Sequence, residues 1–121
     1  MLEGKQPQIF GDGTQERDFV AVSDVVDANL AAINRGGGKS MNIGTGQATS
    51  VKRIFELLQN ITGYKWDPLH APRRPGEVYR ISLDSSKANR ELEWSPITSL
   101  QEGLETTVDY FKESNRSPSA H

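Results

Sequence analysis

Val51, Ile54, Phe55, Leu58 and Ile61 recur at the three- and four-residue intervals that put side chains on one face of a helix. Thr49 or Ser50 stands before them as a cap, and Gly63 follows where a left-handed C-terminal glycine belongs. Three more segments have the same amphipathic form. One covers about 24–34, capped by Ser23, with Asp24 in its first turn and Val25, Val26, Leu30 and Ile33 on the inward face. A shorter one runs from Ser85 or Ser86 to about Leu92. The last opens on a capping box, Ser99 with Glu102, and turns Leu100, Leu104, Val108 and Phe111 inward. Every such stripe needs an apolar surface to cover it, and the strand candidates are few and short. They are 9–10, the apolar run 19–22, 41–43, and extended pieces near 65–67 and 78–83. The order is an α/β pattern with too little sheet for its helices. Either another chain completes the sheet, or this chain is a piece of a larger fold.

Composition narrows the classes. The chain has 121 residues, one domain or part of one, with 35% hydrophobic and 25% charged residues, as in an ordinary globular protein. A net charge of −2 argues against nucleic acid as a partner, because a surface that tracks phosphates is normally basic. No apolar run approaches the roughly 18 residues of a membrane span. There is no cysteine, which removes disulfides and thiolate metal sites, and only His70 and His121 could supply imidazole. A cytoplasmic location is the expectation. Residues 1–7 read as a polar lead-in and 114–121 as a polar tail.

Two glycine-bearing motifs invite a cofactor reading and support it poorly. G-G-G-K-S at 36–40 looks like the end of a phosphate-binding loop, but the full pattern wants glycine where Ile33 stands, and a helix precedes it instead of a strand. It reads as a helix-to-strand connection. Gly44-Thr45-Gly46 has the strand-turn-helix setting of a dinucleotide fingerprint, with Thr49 where a third glycine or alanine is wanted. A tight turn into the following helix explains it as well. His70 is read as filling a strand edge, and Trp66 and Trp94 as core.

The arginines carry more. G-D-G-T-Q-E-R-D-F-V (11–20) holds Arg17, and A-P-R-R-P-G-E-V (71–78) holds Arg73 and Arg74. A guanidinium is a planar fork of donors that matches phosphate oxygens. Arg17 leads into an apolar run, and Pro72 and Pro75 stiffen the second loop, as a binding site needs. Equally, Arg17 with Asp18 and Arg73-Arg74 with Glu77 could be solvated pairs contributing about 0–1 kcal/mol. Residue chemistry alone leaves a phosphate clamp and a solvated turn about even.

The segment I-F-G-D-G-T-Q-E-R-D-F-V-A-V-S-D-V-V-D-A-N, followed in order by M-N-I-G-T-G-Q-A-T-S-V, A-P-R-R-P-G-E-V, D-S-S-K-A-N-R-E-L-E-W-S-P and S-L-Q-E-G-L, resembles the carboxy-terminal part of NAD-dependent epimerases and dehydratases. These belong to the extended short-chain dehydrogenase/reductase family, and the UDP-glucose 4-epimerase-like members are the most similar. The resemblance covers about 8–112 and implies a partial extended short-chain dehydrogenase fold, with 8–113 the substrate-binding portion.

It also implies roles. Arg17 and Arg74 would contact a nucleotide diphosphate, Glu77 would hold the ribose hydroxyls in place of the commoner aspartate, and Phe19 takes the aromatic position beside Arg17. Arg73 would be a neighbour of the clamp and not one of its contacts. The implied partner is a nucleotide sugar, a UDP-hexose by the nearest members. NAD is the cofactor of full-length relatives, and none is expected to bind this chain alone. The chain lacks the glycine-rich NAD fingerprint and the Tyr-x-x-x-Lys pair, since Pro68, Leu83 and Ser114 stand four residues after Tyr64, Tyr79 and Tyr110. No catalytic residue is therefore expected. The alternatives are a 4,6-dehydratase or decarboxylase portion, or a non-catalytic module or truncated piece that completes its sheet by association, as a homodimer or a domain-swapped assembly. Strand edges at 18–22 and 41–43 would favour such pairing.

Overall fold

A computed structural model describes residues 1–35, 37–76 and 79–116. In chain order the elements are β1 (Gln8–Phe10), β2 (Glu16–Arg17), α1 (Val22–Asn34), β3 (Thr49–Ser50), α2 (Val51–Thr62), β4 (Leu69–Ala71), α3 (Ser86–Leu92) and α4 (Leu100–Arg116). β1 pairs in parallel with β4, Ile9 opposite His70, and β2 pairs antiparallel with β3, Arg17 opposite Thr49. Glu16 also bridges to Arg80. The architecture is α/β with two-stranded sheets among the described residues.

The core lies in two places. Ile9, Phe55 and Tyr64 form one cluster between β1 and α2, with Phe55 and Tyr64 edge to face at 6.4 Å. α4 packs on α2 beside it and buries Val108. Fully burying a side chain of this size contributes about 1.5–3 kcal/mol. The second cluster joins Ala28 of α1 to Ala88, Leu92 and Trp94, with Ala31, Met41 and Ile43 packed against it. The Trp94 indole N–H donates to the Asp24 carbonyl at 2.8 Å, so a large ring enters the core with its polar atom satisfied. The Asp24 carboxylate, 1% exposed, accepts from the Thr98 amide and hydroxyl at 3.1 and 3.3 Å.

Local signals placed the ends of two helices well. Ser50 Oγ accepts from the Arg53 amide at 3.1 Å, and Gly63 closes α2 with φ +75° and its N–H on the Gln59 carbonyl. Ser99 Oγ accepts from the Glu102 amide, the first half of the capping box, and the Ser99 hydroxyl donates to the Glu102 carboxylate. His70 lies in β4 with Nδ1 on the Gly11 carbonyl at 2.8 Å.

Elsewhere the expectation fails. Residues 19–22 form no buried strand: the ladder is confined to Glu16–Arg17, Phe19 is exposed, and α1 already starts at Val22. Ser23 lies inside α1, and Ala21 precedes it without a side-chain cap. The inward face of α1 is made by Asp24 and Ala28, while Val26, Leu30 and Ile33 face solvent. The 41–43 segment is not paired as a strand, and the strand near 65–67 falls instead on Leu69–Ala71. Trp66 is 66% exposed and Phe111 of α4 half exposed, so neither is core. α4 continues to Arg116, past the point where the tail was expected to begin.

Candidate functional site

The loops that carry the arginines leave the carboxyl ends of the parallel pair β1 and β4, where α/β folds gather ligands. Hydrogen bonds interlock them. The Gly11 amide donates to the Ala71 carbonyl at 2.8 Å, the Glu16 amide to the Tyr79 carbonyl at 2.7 Å, and the Ile81 amide to the Glu16 carbonyl at 3.1 Å. Asp12 turns the first loop by accepting from the Thr14 hydroxyl and amide, which hold its carboxyl below the ordinary value. The Gln15 side chain is buried and donates to the Phe10 carbonyl at 2.8 Å.

Arg17 Nη1 donates to the Glu16 carbonyl at 2.8 Å and reaches the Tyr79 carbonyl at 3.5 Å. Arg74 stacks over Phe10, its guanidinium carbon 4.0 Å from the ring centroid. A stacked guanidinium is fixed in plane with its N–H groups at the edge. Arg73 lies 5.9 Å from the Tyr79 ring centroid. It lines a small cavity of about 220 Å³ with Gly11, Asp12, Thr14, Gln15 and Tyr79. The two arginine segments, far apart in sequence, are thus neighbours in space. Phe19 is in a different place, lining a recess of about 480 Å³ with Val22, Thr45, Gln47 and the start of α4. Glu77 lies outside the described residues.

One residue of this region was missed in the sequence. Asp18 joins three segments: Oδ1 accepts from the Thr45 amide at 2.9 Å and hydroxyl at 2.7 Å, and Oδ2 from the Gly46 amide at 2.9 Å and the Leu83 amide at 3.0 Å. Burial pushes its carboxyl up, and the Thr45, Leu83 and Gly46 donors outweigh that, leaving it lowered. Gly44 is required here because a Cβ would stand 2.8 Å from Asp18 Oδ2 and 2.9 Å from Leu83 Cβ. The turn that resembles a dinucleotide fingerprint therefore does hold an anion, and the anion is the chain's own carboxylate. Its Thr45 and Gly46 amides are already taken, so this turn does not fit a pyrophosphate of NAD. Pairing Arg17 with Asp18 as a surface ion pair is likewise replaced: the carboxylate is spent on backbone amides. The signal that could have found this was the run R-D-F followed by a G-T-G turn.

Among the described residues no group of three or more acidic or histidine side chains could hold a metal ion, and no helix is long and apolar enough to cross a membrane.

A short α/β chain with an interlocked pair of arginine loops at the ends of its parallel strands has a Rossmann-like class of fold. The sequence profile of the GDP-mannose 4,6 dehydratase family matches residues 1–107, and the chain belongs to that family. The crystal structure of a UDP-glucose 4-epimerase from Thermotoga maritima with UDP-glucose superposes with a TM-score of 0.91 at 48% identity, over 94% of this chain and 37% of that one. A UDP-glucuronic acid 4-epimerase from Bacillus cereus, solved with UDP-glucuronic acid and NAD, gives 0.86 at 38% identity, over 93% of this chain and 37% of that one. The UDP-glucose 4-epimerase of Mycolicibacterium smegmatis is 39% identical over 93% of this chain and 36% of its own length. The chain thus spans little more than a third of the length of the relatives it matches. Its fold is a partial extended short-chain dehydrogenase fold.

Proposed function

We propose that residues 8–113 are the nucleotide-sugar-binding portion of a cytoplasmic 4-epimerase of the UDP-glucose type, with Arg17 and Arg74 on the diphosphate and Glu77 on the ribose diol; Phe19, in its separate recess, is left out of the clamp. The observation that carries this reading is the meeting of the two arginine loops at the ends of β1 and β4, with Arg17 on the Tyr79 carbonyl and Arg74 stacked on Phe10. Two fixed guanidinium groups can neutralise a pyrophosphate, and a carboxylate can accept from a vicinal diol. Support comes from relatives solved with UDP-glucose and with UDP-glucuronic acid. Epimerisation is not expected of this chain alone, because the tyrosine–lysine pair that would exchange the sugar proton is not in its sequence.

Calorimetric titration with UDP tests the clamp. Arg17→Ala and Arg74→Ala should each weaken binding by roughly tenfold, the value of one charge-assisted contact. Arg73→Ala should cost less than about threefold, and GDP should bind less tightly than UDP. Unchanged UDP affinity in Arg74→Ala would remove the clamp.

A further inference from the structure

The parallel ladder of β1 and β4 runs a little beyond its strands and then stops. The Leu69 amide donates to the Pro7 carbonyl and the Gly11 amide to the Ala71 carbonyl, each at 2.8 Å. In the same register the next rung would be the Arg73 amide on the Gly11 carbonyl. That backbone bond is not made. A side chain takes the carbonyl instead, His70 Nδ1 at 2.8 Å. A carbonyl has no proton to give, so Nδ1 carries the hydrogen and donates. It can do so in the neutral ring and in the charged one. His70 stands opposite Ile9 in the pairing, and its ring lines a recess with Ile9, Phe55, Asp12, Lys52, Glu56 and Asp67. The residue is exposed to water and still tied to one backbone atom.

That atom matters because of what hangs from it. Gly11 has φ +84° and Gly13 φ +83°, glycine backbone that is free to swing unless it is bonded. Phe10, whose ring lies under the Arg74 guanidinium, directly precedes this turn, and Arg17 follows it. Across the ladder, His70 and Ala71 lead into the loop that carries Arg74. The far end of the turn is held by α2, since the Gly13 carbonyl accepts from the Lys52 amide at 2.8 Å. At the near end the Gly11 amide is held by Ala71 and its carbonyl by His70. We propose that His70 is a positioning residue of the diphosphate site. Its Nδ1–H replaces the missing rung and fixes the turn, with Phe10 and Arg17, against the segment that bears Arg74. The inference rests on the reading of Arg17 and Arg74 as a clamp, and it adds a residue that acts through the turn and touches no ligand.

The test compares three substitutions of His70 in the full chain, by calorimetric titration with UDP and by amide exchange. The amide nitrogen of asparagine lies the same number of bonds from Cβ as Nδ1, and that of glutamine the same number as Nε2. Phenylalanine keeps a ring and has no donor. His70→Phe and His70→Gln should each weaken UDP binding by about fivefold, the value of one neutral hydrogen bond. His70→Asn should stay within about twofold of wild type. Exchange at 11–15 should quicken at least about threefold in the Phe and Gln variants and return to the wild-type rate in the Asn variant. Exchange in α4 should be the same in all three, which shows an intact fold. Long-range proton–nitrogen spectra of the neutral wild-type ring should place the hydrogen on Nδ1. A hydrogen on Nε2, or an Asn variant as weak as the Phe variant, would overturn the proposal. Arg74→Ala separates it from the clamp. Weakened UDP binding there with wild-type binding in His70→Phe overturns the role of His70 alone, whereas unchanged binding in Arg74→Ala overturns the clamp and this role with it.

Discussion

The Asp18 carboxylate accepts from Thr45, Gly46 and Leu83, three donors' worth of backbone drawn from two distant segments. Because its folded-state pKa is lowered, it is more fully ionised in the native chain than in the unfolded one. Its stabilisation is therefore complete above the unfolded value near 3.9 and is lost as pH falls through the lower folded value. Asp18→Asn places an amide N–H among these donors and strands at least one of them, which should cost about 1–3 kcal/mol at pH 7. Urea unfolding at pH 7 and at pH 3 checks the sign. The gap between wild type and variant should shrink in acid, and a gap of equal size at both pH values would show that the carboxylate charge is not what joins the segments. In the sequence this residue looked like half of a surface ion pair. Its actual role was illegible because the partners lie 27 and more positions away and are backbone atoms, which have no identity in a sequence.

Helix ends behave differently, since the atoms that close them are within a few residues. Ser50→Ala removes the Oγ that accepts from Arg53 and should lower stability by about 1 kcal/mol. Gly63→Ala should cost a similar amount, because φ +75° strains any Cβ. Ser23→Ala is the contrast: Ser23 lies inside α1 and caps nothing, so its loss should stay within about 0.5 kcal/mol. Midpoints of thermal unfolding measure all three, and a Ser23 effect as large as the Ser50 effect would mean that α1 begins later than Val22. The same locality explains what was readable. The caps of α2 and the Ser99–Glu102 box of α4 were written in adjacent residues, as was the placement of His70 near a strand edge. Strand 19–22 and the inward face of α1 were not. Apolar pattern says that a face will be covered and does not say by which polypeptide, so Val26, Leu30 and Ile33 were assigned to a core that the described chain does not build around them. Residue chemistry left the arginines even between a clamp and a solvated turn, and the interlocking of their two segments needed the parallel register of β1 and β4, which no local motif writes.

At the scale of the molecule, the two core clusters have unequal support. Ile9, Phe55 and Tyr64 are covered by α2 and α4, whereas Ala28, Ala88, Leu92 and Trp94 lie under a helix whose large side chains face water. Opening α1 locally would uncover its own Ala28 with the Leu92 and Trp94 beneath it, but Val22, Val26, Leu30 and Ile33 are already in water, so the helix's own large side chains add little newly exposed apolar area. Opening α2 would uncover Phe55 and Leu57 together with Val108 behind them. Native-state amide exchange should therefore run at least about tenfold faster in the middle of α1 than in the middle of α2. The arginine loops hang from β1 and β4, on the better-supported side, because Gly11 bonds Ala71 and Lys52 of α2 bonds Gly13. UDP should accordingly slow exchange in β1, β4 and the first turn of α2 while leaving α1 unchanged. If α1 proved the slower helix, or if UDP protected it as strongly as β1, the two halves would be a single cooperative unit, and ligand binding could not be assigned to one side of the chain.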